Sequence, residues 1–225
     1  KGEVDTLIQN SYKIISEIAN YDKTKKILIA EGNVIITDLN SLDKIYSNKI
    51  EYHETKRTLL VKGNSEFNIE SYQLKSSNVV FNDNNKTVQS KEDTFLKDTF
   101  GNSIKSENFK FSKITNNLIL TGKVKITDLE NNKHFIENLI IDTKKKRMAG
   151  ENFKTIFDKE IFGNIKNDPR LTSNSVKILE GKTMLNKGVF TSCKKRGNKC
   201  PPWQFRADKI THDKKGKKII YDNAW

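Results

Sequence analysis

Apolar and polar positions alternate along most of the chain, and the alternation restarts at regular intervals. The stretch Ile27–Asp38 reads ILIAEGNVIITD and puts Leu28, Ala30, Val34 and Ile36 on one parity, with Gly32 between them. Leu59, Val61, Ser65 and Phe67 flank Gly63 in the same way, and Leu118, Leu120, Val124 and Ile126 flank Gly122. A period of two predicts β-strands with one dry face. The opposite parity is mixed: Ile29 and Ile35 in one strand, but Lys62 and Asn64, or Lys123 and Lys125, in the others.

The strands recur in pairs. A small or apolar residue is followed three and five positions later by apolar or ring-bearing residues, starting at Ser16, Ser47, Ser76, Ser106, Ile136, Ser173 and Ala207. These starts are 31, 29, 30, 30, 37 and 34 residues apart. Each is followed by a polar turn such as DKTKK or NDNNK, then by a second apolar run. Self-similarity at a fixed period marks an architecture of stacked units. The first strands add Ile50, Tyr52, Val79, Phe81, Phe109, Phe111, Leu139 and Ile141 to the dry face. Glycine stands sixteen residues after the small residue in three units, and Gly150 and Gly188 fall within two residues of that slot, while Glu92 and Asn223 occupy it elsewhere. Such a glycine either leaves room inside or marks a bulge or corner. Both readings fold each strand pair into a trough. The fold expected is all-β, an elongated open stack of about seven hairpins forming one domain over 1–225. Segments 4–18 and 91–100 have spacing that a helical turn would tolerate, but neither carries a cap.

Composition narrows the function. The 225 residues carry a formal charge of +13. That charge suits an anionic partner, or simply lysine-rich solvated turns. No apolar run approaches the ~20 residues of a membrane-spanning helix. The chain shows no leader pattern and reads as an excised or mature piece of something longer. Two cysteines, Cys193 and Cys200, make a poor zinc site and suit a disulfide, with each other or with a cysteine elsewhere, in an oxidising compartment. His53, His134 and His212 are isolated in sequence, and Asp22, Asp142 and Asp213 share a turn slot, which fits turn initiation. No catalytic constellation, metal site or cofactor is expected. A nucleic-acid surface would interleave aromatics with Lys and Arg on the wet face. Tyr52, Phe81 and Phe111 fall on the dry parity instead.

The AEGNVIITD repeat resembles the OstA-like domains of bacterial lipopolysaccharide transport. The C-terminal stretch FTSCKKRGNKCPPWQFRADKITHDKKGKKIIYDNAW is similar to the end of the periplasmic domain in the LptD family of lipopolysaccharide-assembly proteins. There a cysteine, a tryptophan, an A-x-x-I-x-x-D run and a last strand lead into an outer-membrane barrel. Here those positions are Cys193, Trp203, Ala207, Ile210, Asp213 and the strand at 218–225, within a connecting segment at 191–225. The resemblance implies an OstA-like β-jellyroll, V-shaped in section, at the periplasmic face of a Gram-negative outer membrane. It implies lipopolysaccharide as ligand, with acyl chains along Leu28, Ala30, Val34, Ile36, Tyr52, Leu59, Val61, Phe67, Phe81, Phe109, Phe111, Leu118, Leu120, Val124 and Ile126. It implies as partners an LptA-like bridge adding a strand at the N-terminal edge, the chain's own barrel, and a plug lipoprotein. In the family this domain forms disulfides with cysteines near the end of the barrel. Cys193 matches the motif cysteine and Cys200 departs from it, which leaves local and barrel pairing both open. The competing readings are the soluble bridge protein itself, a basic nucleic-acid-binding β-domain, and a surface adhesin or other β-solenoid.

Overall fold

The computed structural model describes residues 4–8, 12–39, 43–160, 165–197, 201–213 and 215–225. Among them are eighteen β-strands and no α-helix. In chain order these are β1 (Val4–Ile8), β2 (Tyr12–Ser16), β3 (Ile18–Asp22), β4 (Ile27–Asp38), β5 (Lys44–His53), β6 (Thr58–Ile69) and β7 (Tyr72–Asn82). Then come β8 (Thr87–Ser90), β9 (Thr94–Lys97), β10 (Ser103–Ser106), β11 (Asn108–Ser112), β12 (Asn117–Thr127), β13 (Lys133–Asp142) and β14 (Arg147–Ile156). The last four are β15 (Arg170–Leu179), β16 (Lys182–Thr191), β17 (Phe205–Asp213) and β18 (Lys218–Ala224). The all-β expectation holds, and within the segments of helix-tolerant spacing the described residues form β1, β2 and β9 and no helix. Contacts gather into two compact units, residues 1–99 with 107–118 and residues 100–106 with 119–225.

In the first unit every long strand turns a corner. Gly32 and Asn33 both take positive φ, +81° and +48°, and Gly63 and Asn78 take +74° and +51°. The registers slip there: Glu31 pairs with Lys49 but Val34 with Ser47, and Val61 pairs with Val79 but Asn64 with Ser77. One strand gains an extra residue, which is a bulge. The glycine-bearing strands keep their parity through the corner. The return strands do not, since Ser47 and Ile50, or Ser76 and Val79, are successive buried positions three apart. This is the physical origin of the step of three in the sequence repeat. The mid-strand glycine therefore supplies a corner. At Gly63 nothing lies within 4 Å of where a Cβ would stand, so conformation and not space is what that position needs.

The corners divide the unit into two arms. The first arm contains β3, the leading halves of β4 and β6, the trailing halves of β5 and β7, and β8 and β11; β2, β9 and the other halves form the second. The polar turns close the first arm. Asp22 Oδ1 accepts from the Thr24 and Lys25 amides, both at 2.9 Å, and Asn82 Oδ1 accepts from the Asn84 and Asn85 amides. The shared aspartate slot is turn initiation, as the sequence indicates. Lys26, Arg57 and Lys86 end their turns in the left-handed region. Their carbonyls accept from the amides of Glu54, Asp83 and Lys113 in the next turn, at 3.0, 3.0 and 2.8 Å.

The second unit holds β10, most of β12 and an antiparallel meander from β13 to β18. Leu139, Ile141, Phe153, Val176, Leu185, Ala207 and Ile210 form its buried face. Here Gly150 and Gly188 differ from the expected corner glycines. Positive φ falls on Asn152 and Lys187 instead. A Cβ on Gly150 would stand 2.5 Å from Ile136 Cγ2, and one on Gly188 would stand 2.4 Å from Ile210 Cδ1. These two glycines make room for a neighbouring isoleucine.

Candidate functional site

The dry parity read from the sequence converges on buried interior. Leu28, Ala30, Val34, Ile36, Tyr52, Leu59, Val61, Phe67, Phe81, Phe109, Phe111 and Leu118 are all buried and belong to the first unit. Leu120 and Val124 are buried in the second unit, and Ile126 beside them is half-buried. Within the first unit the corner turns the buried faces of the two arms toward each other. Phe67, from the second arm, meets two rings of the first: Phe81 edge-on at 5.7 Å between centroids and Phe109 at 6.1 Å. Lys62 and Lys123 are exposed, and Lys62 pairs with Glu51 at 2.6 Å.

A column of buried hydroxyls lines the corners, and the sequence reading missed its chemistry. Ser16 donates to the Ile18 carbonyl and Ser47 to the Lys62 carbonyl, both at 3.1 Å. Ser65 donates to the Ser76 carbonyl, Ser90 to the Ser77 carbonyl, and Ser76 meets Thr94 Oγ1 at 3.0 Å. A bulge leaves backbone groups out of the ladder, and a buried polar group without a partner is costly. Small hydroxyls answer both needs. The recurring Ser at the repeat starts was the visible signal. On the outer side a depression of about 680 Å³ follows these corners, with Asn33, Tyr46, Asn48, Asn64 and Glu66 among its lining residues.

The open ends of the two arms meet through side chains. Tyr12, at the end of the second arm, donates to Asp83 Oδ1 in a turn of the first at 2.9 Å. Beside it Asp38, the register partner of Tyr12, accepts from Lys113 Nζ at 3.0 Å. Burial pushes the Tyr12 hydroxyl far above the usual tyrosine range, and the Asp83 carboxylate adds to the shift. Tyr52 lies 4 % exposed with no hydrogen-bond partner for its hydroxyl among the described residues. Burial, then the charge of Asp83, also raises its pKa.

The C-terminal motif folds into the second unit. Thr191 Oγ1 donates to the Trp203 carbonyl at 2.8 Å, and Phe190 packs on the Trp203 ring at 6.1 Å. Arg170 Nη1 donates to the Cys193 carbonyl at 2.7 Å. Cys193 is half-buried as a free thiol; its bond with Thr191 foremost, it titrates below the usual thiol value. Cys200 lies outside the described residues. On β18 every residue is exposed, including Ile219, Ile220 and Tyr221. His134 has company that sequence did not reveal: Thr155 at 2.9 Å, Asp128 at 3.2 Å, and the stacked ring of Phe153. Among the described residues no group of three His, Cys, Asp or Glu could hold a metal ion.

The described elements make this an all-β protein of antiparallel strands, those of the first unit bent around an apolar interior. No protein-family model matches the chain, and no curated protein matches it in sequence. Among solved structures it is similar to LptH of Pseudomonas aeruginosa, described as the LptA-homologous periplasmic component of the lipopolysaccharide transport device. The two chains share 13 % identity over 61 % of this chain and 79 % of that one, with a TM-score of 0.27.

Proposed function

We propose that this chain is a periplasmic carrier domain for lipopolysaccharide, the part of an outer-membrane translocon that receives the lipid from a bridge protein and hands it to a membrane barrel. The observation that carries this reading is the repeat of bent strands whose dry faces line one interior in the first unit, from Leu28 to Leu118. Such a lining meets the physical demand of the task. Exposing one acyl chain of a dozen carbons to water costs on the order of 10 kcal/mol, at about 0.8 kcal/mol per methylene. A carrier therefore needs continuous apolar surface, and it needs uniformity so that no single position traps the chain. The C-terminal motif from Cys193 to Asp213 favours the translocon over the free bridge protein. In this reading an LptA-like bridge adds a strand at the N-terminal edge, and the exposed apolar side chains of β18 face the barrel and its plug lipoprotein. Cys193 then pairs with Cys200 or with a barrel cysteine. The chain performs no chemistry of its own.

Photo-crosslinkers at Val34, Phe67 and Ile126 test this. Capture of lipopolysaccharide at those three sites, and not at Lys62 or Lys123, is the expected result. Equal capture at both sets means the interior is not the path.

A further inference from the structure

Two features of the first unit have no role in holding a β-sheet together. The open ends of its arms touch through Tyr12–Asp83 and Asp38–Lys113, residues 71 and 75 apart in the chain. These are side-chain contacts at the rim, outside the strand ladders that hold each arm together. Tyr52 stands near enough to Tyr12 and Asp83 to interact electrostatically with both, buried, its hydroxyl without a partner among the described residues. Native proteins rarely leave a buried hydroxyl unsatisfied, and such a group is a natural acceptor-seeking site for a bound molecule. Aspartate, tyrosine and lysine at the rim are also not what seals a permanent core. Apolar contacts would do that without desolvating charges.

We propose that these two contacts form a closable seam: an anionic acylated amphiphile enters the first unit sideways by parting them, its anionic group then pairing with Lys113 and an ester or amide oxygen near its headgroup accepting from the Tyr52 hydroxyl. This rests on the lipid-carrier reading above. Each arm keeps its own ladder when the seam parts, and the corners supply the hinge, since positive φ at Gly32, Gly63 and Asn78 already sets the angle there. Parting the seam separates Phe67 from Phe81 and Phe109 and uncovers the lining between them. Lys113 changes partner from the Asp38 carboxylate to the ligand's anion, so its charge is never left alone. Tyr52 gains the hydrogen bond it lacks. The rim contacts and the ring contacts of Phe67 are exchanged for contacts with the ligand, while the strand ladders stay as they are.

The experiment uses the full chain with Cys193 and Cys200 replaced by serine, a photo-crosslinker at Val34, and purified lipopolysaccharide as probe. Asp38→Cys with Lys113→Cys is joined by a short bis-maleimide, and the same protein blocked singly with N-ethylmaleimide is the control. Joining is expected to slow capture at least tenfold against the control. Tyr12→Phe with Asp38→Asn, which loosens both contacts and keeps Lys113 for the ligand, is expected to speed it about tenfold, equivalent to about 1.4 kcal/mol of lost closure. Tyr52→Phe is expected to weaken capture several-fold; if the hydroxyl were only a structural flaw, its removal would stabilise the fold and leave capture unchanged. Thermal melts of each variant identify any that no longer fold, and Asp38→Asn alone then takes the place of the double variant. Capture that is equally fast in joined and control protein overturns the seam while leaving the carrier reading standing. Absence of capture at Val34 and Phe67 in the unjoined protein overturns both.

Discussion

Gly63 and Gly150 occupy neighbouring slots of the same repeat, one in each compact unit, and their surroundings are opposite. Around Gly63 there is open space and a φ of +74°. Around Gly150 there is an isoleucine methyl at 2.5 Å and a backbone oxygen at 3.0 Å from any added Cβ, and φ is ordinary. The first unit spends glycine on the corner. In the second unit Gly122 on β12 keeps the corner role with a φ of +74°, but the meander from β13 to β18 makes its corner with Asn152 and Lys187 and spends glycine on close packing. Asparagine adopts the left-handed region more readily than most side-chain-bearing residues, and here its amide reaches a distant carboxylate: Asn152 Nδ2 donates to Glu137 just as Asn33 Nδ2 donates to Glu17. A repeated letter in a repeated slot can therefore answer two separate physical needs.

Four measurements sharpen that contrast. The largest effect is expected from Phe67→Ala, which removes the ring that joins the two arms of the first unit. Loss of about 3–5 kcal/mol in urea unfolding is expected, and a loss under about 1 kcal/mol would show that the arms do not depend on each other there. Next comes Gly150→Ala, which overpacks against Ile136 and is expected to cost about 1–3 kcal/mol. Trimming the neighbour, in Gly150→Ala with Ile136→Ala, should recover part of it; a purely conformational site would show no such coupling. Gly63→Ala is expected to cost about 1–2 kcal/mol with no steric partner to trim, since the cost is left-handed backbone alone. Gly63→Asn should recover most of it.

The smallest effect concerns a loop of the second unit. Burial raises the pKa of Asp128, but hydrogen bonds from Asn132 and His134 outweigh it and hold the carboxyl below its ordinary value. A depressed carboxylate adds stability above its unfolded pKa, and that stability fades as pH falls through the folded one. Asp128→Asn should therefore lower the urea midpoint near neutrality and lose its effect in acid below the carboxylate range. Asp22 in the first unit is exposed and acts mainly through backbone amides, which asparagine also caps, so Asp22→Asn should leave the midpoint where it is.

Much of this was legible along the chain. Parity named the interior strand by strand, because side chains alternate across a β-strand whatever the sheet does next. Asp22 could be read as a turn former because its partners are two and three residues away. What stayed hidden depends on distance or on twist. The partner of Tyr12 is 71 residues off, and no local pattern names it. The corners at Asn152 and Lys187 were missed because φ there is set by the twist of paired strands, and lysine has no preference that announces it. The serines were visible as small residues, but only the register reveals which carbonyls they satisfy.

The bonds between successive turns carry one more implication. Lys26, Arg57 and Lys86 each pass a carbonyl to the amide that opens the following turn. The rim is thus laced like rungs on a rope, and each rung requires its neighbour at a fixed offset. A chain built this way can be lengthened or shortened by whole repeats, in the manner of a solenoid, while an insertion of a few residues within a turn would break the lacing on both sides. Evolution would then set the reach of such a domain in discrete steps of one strand pair.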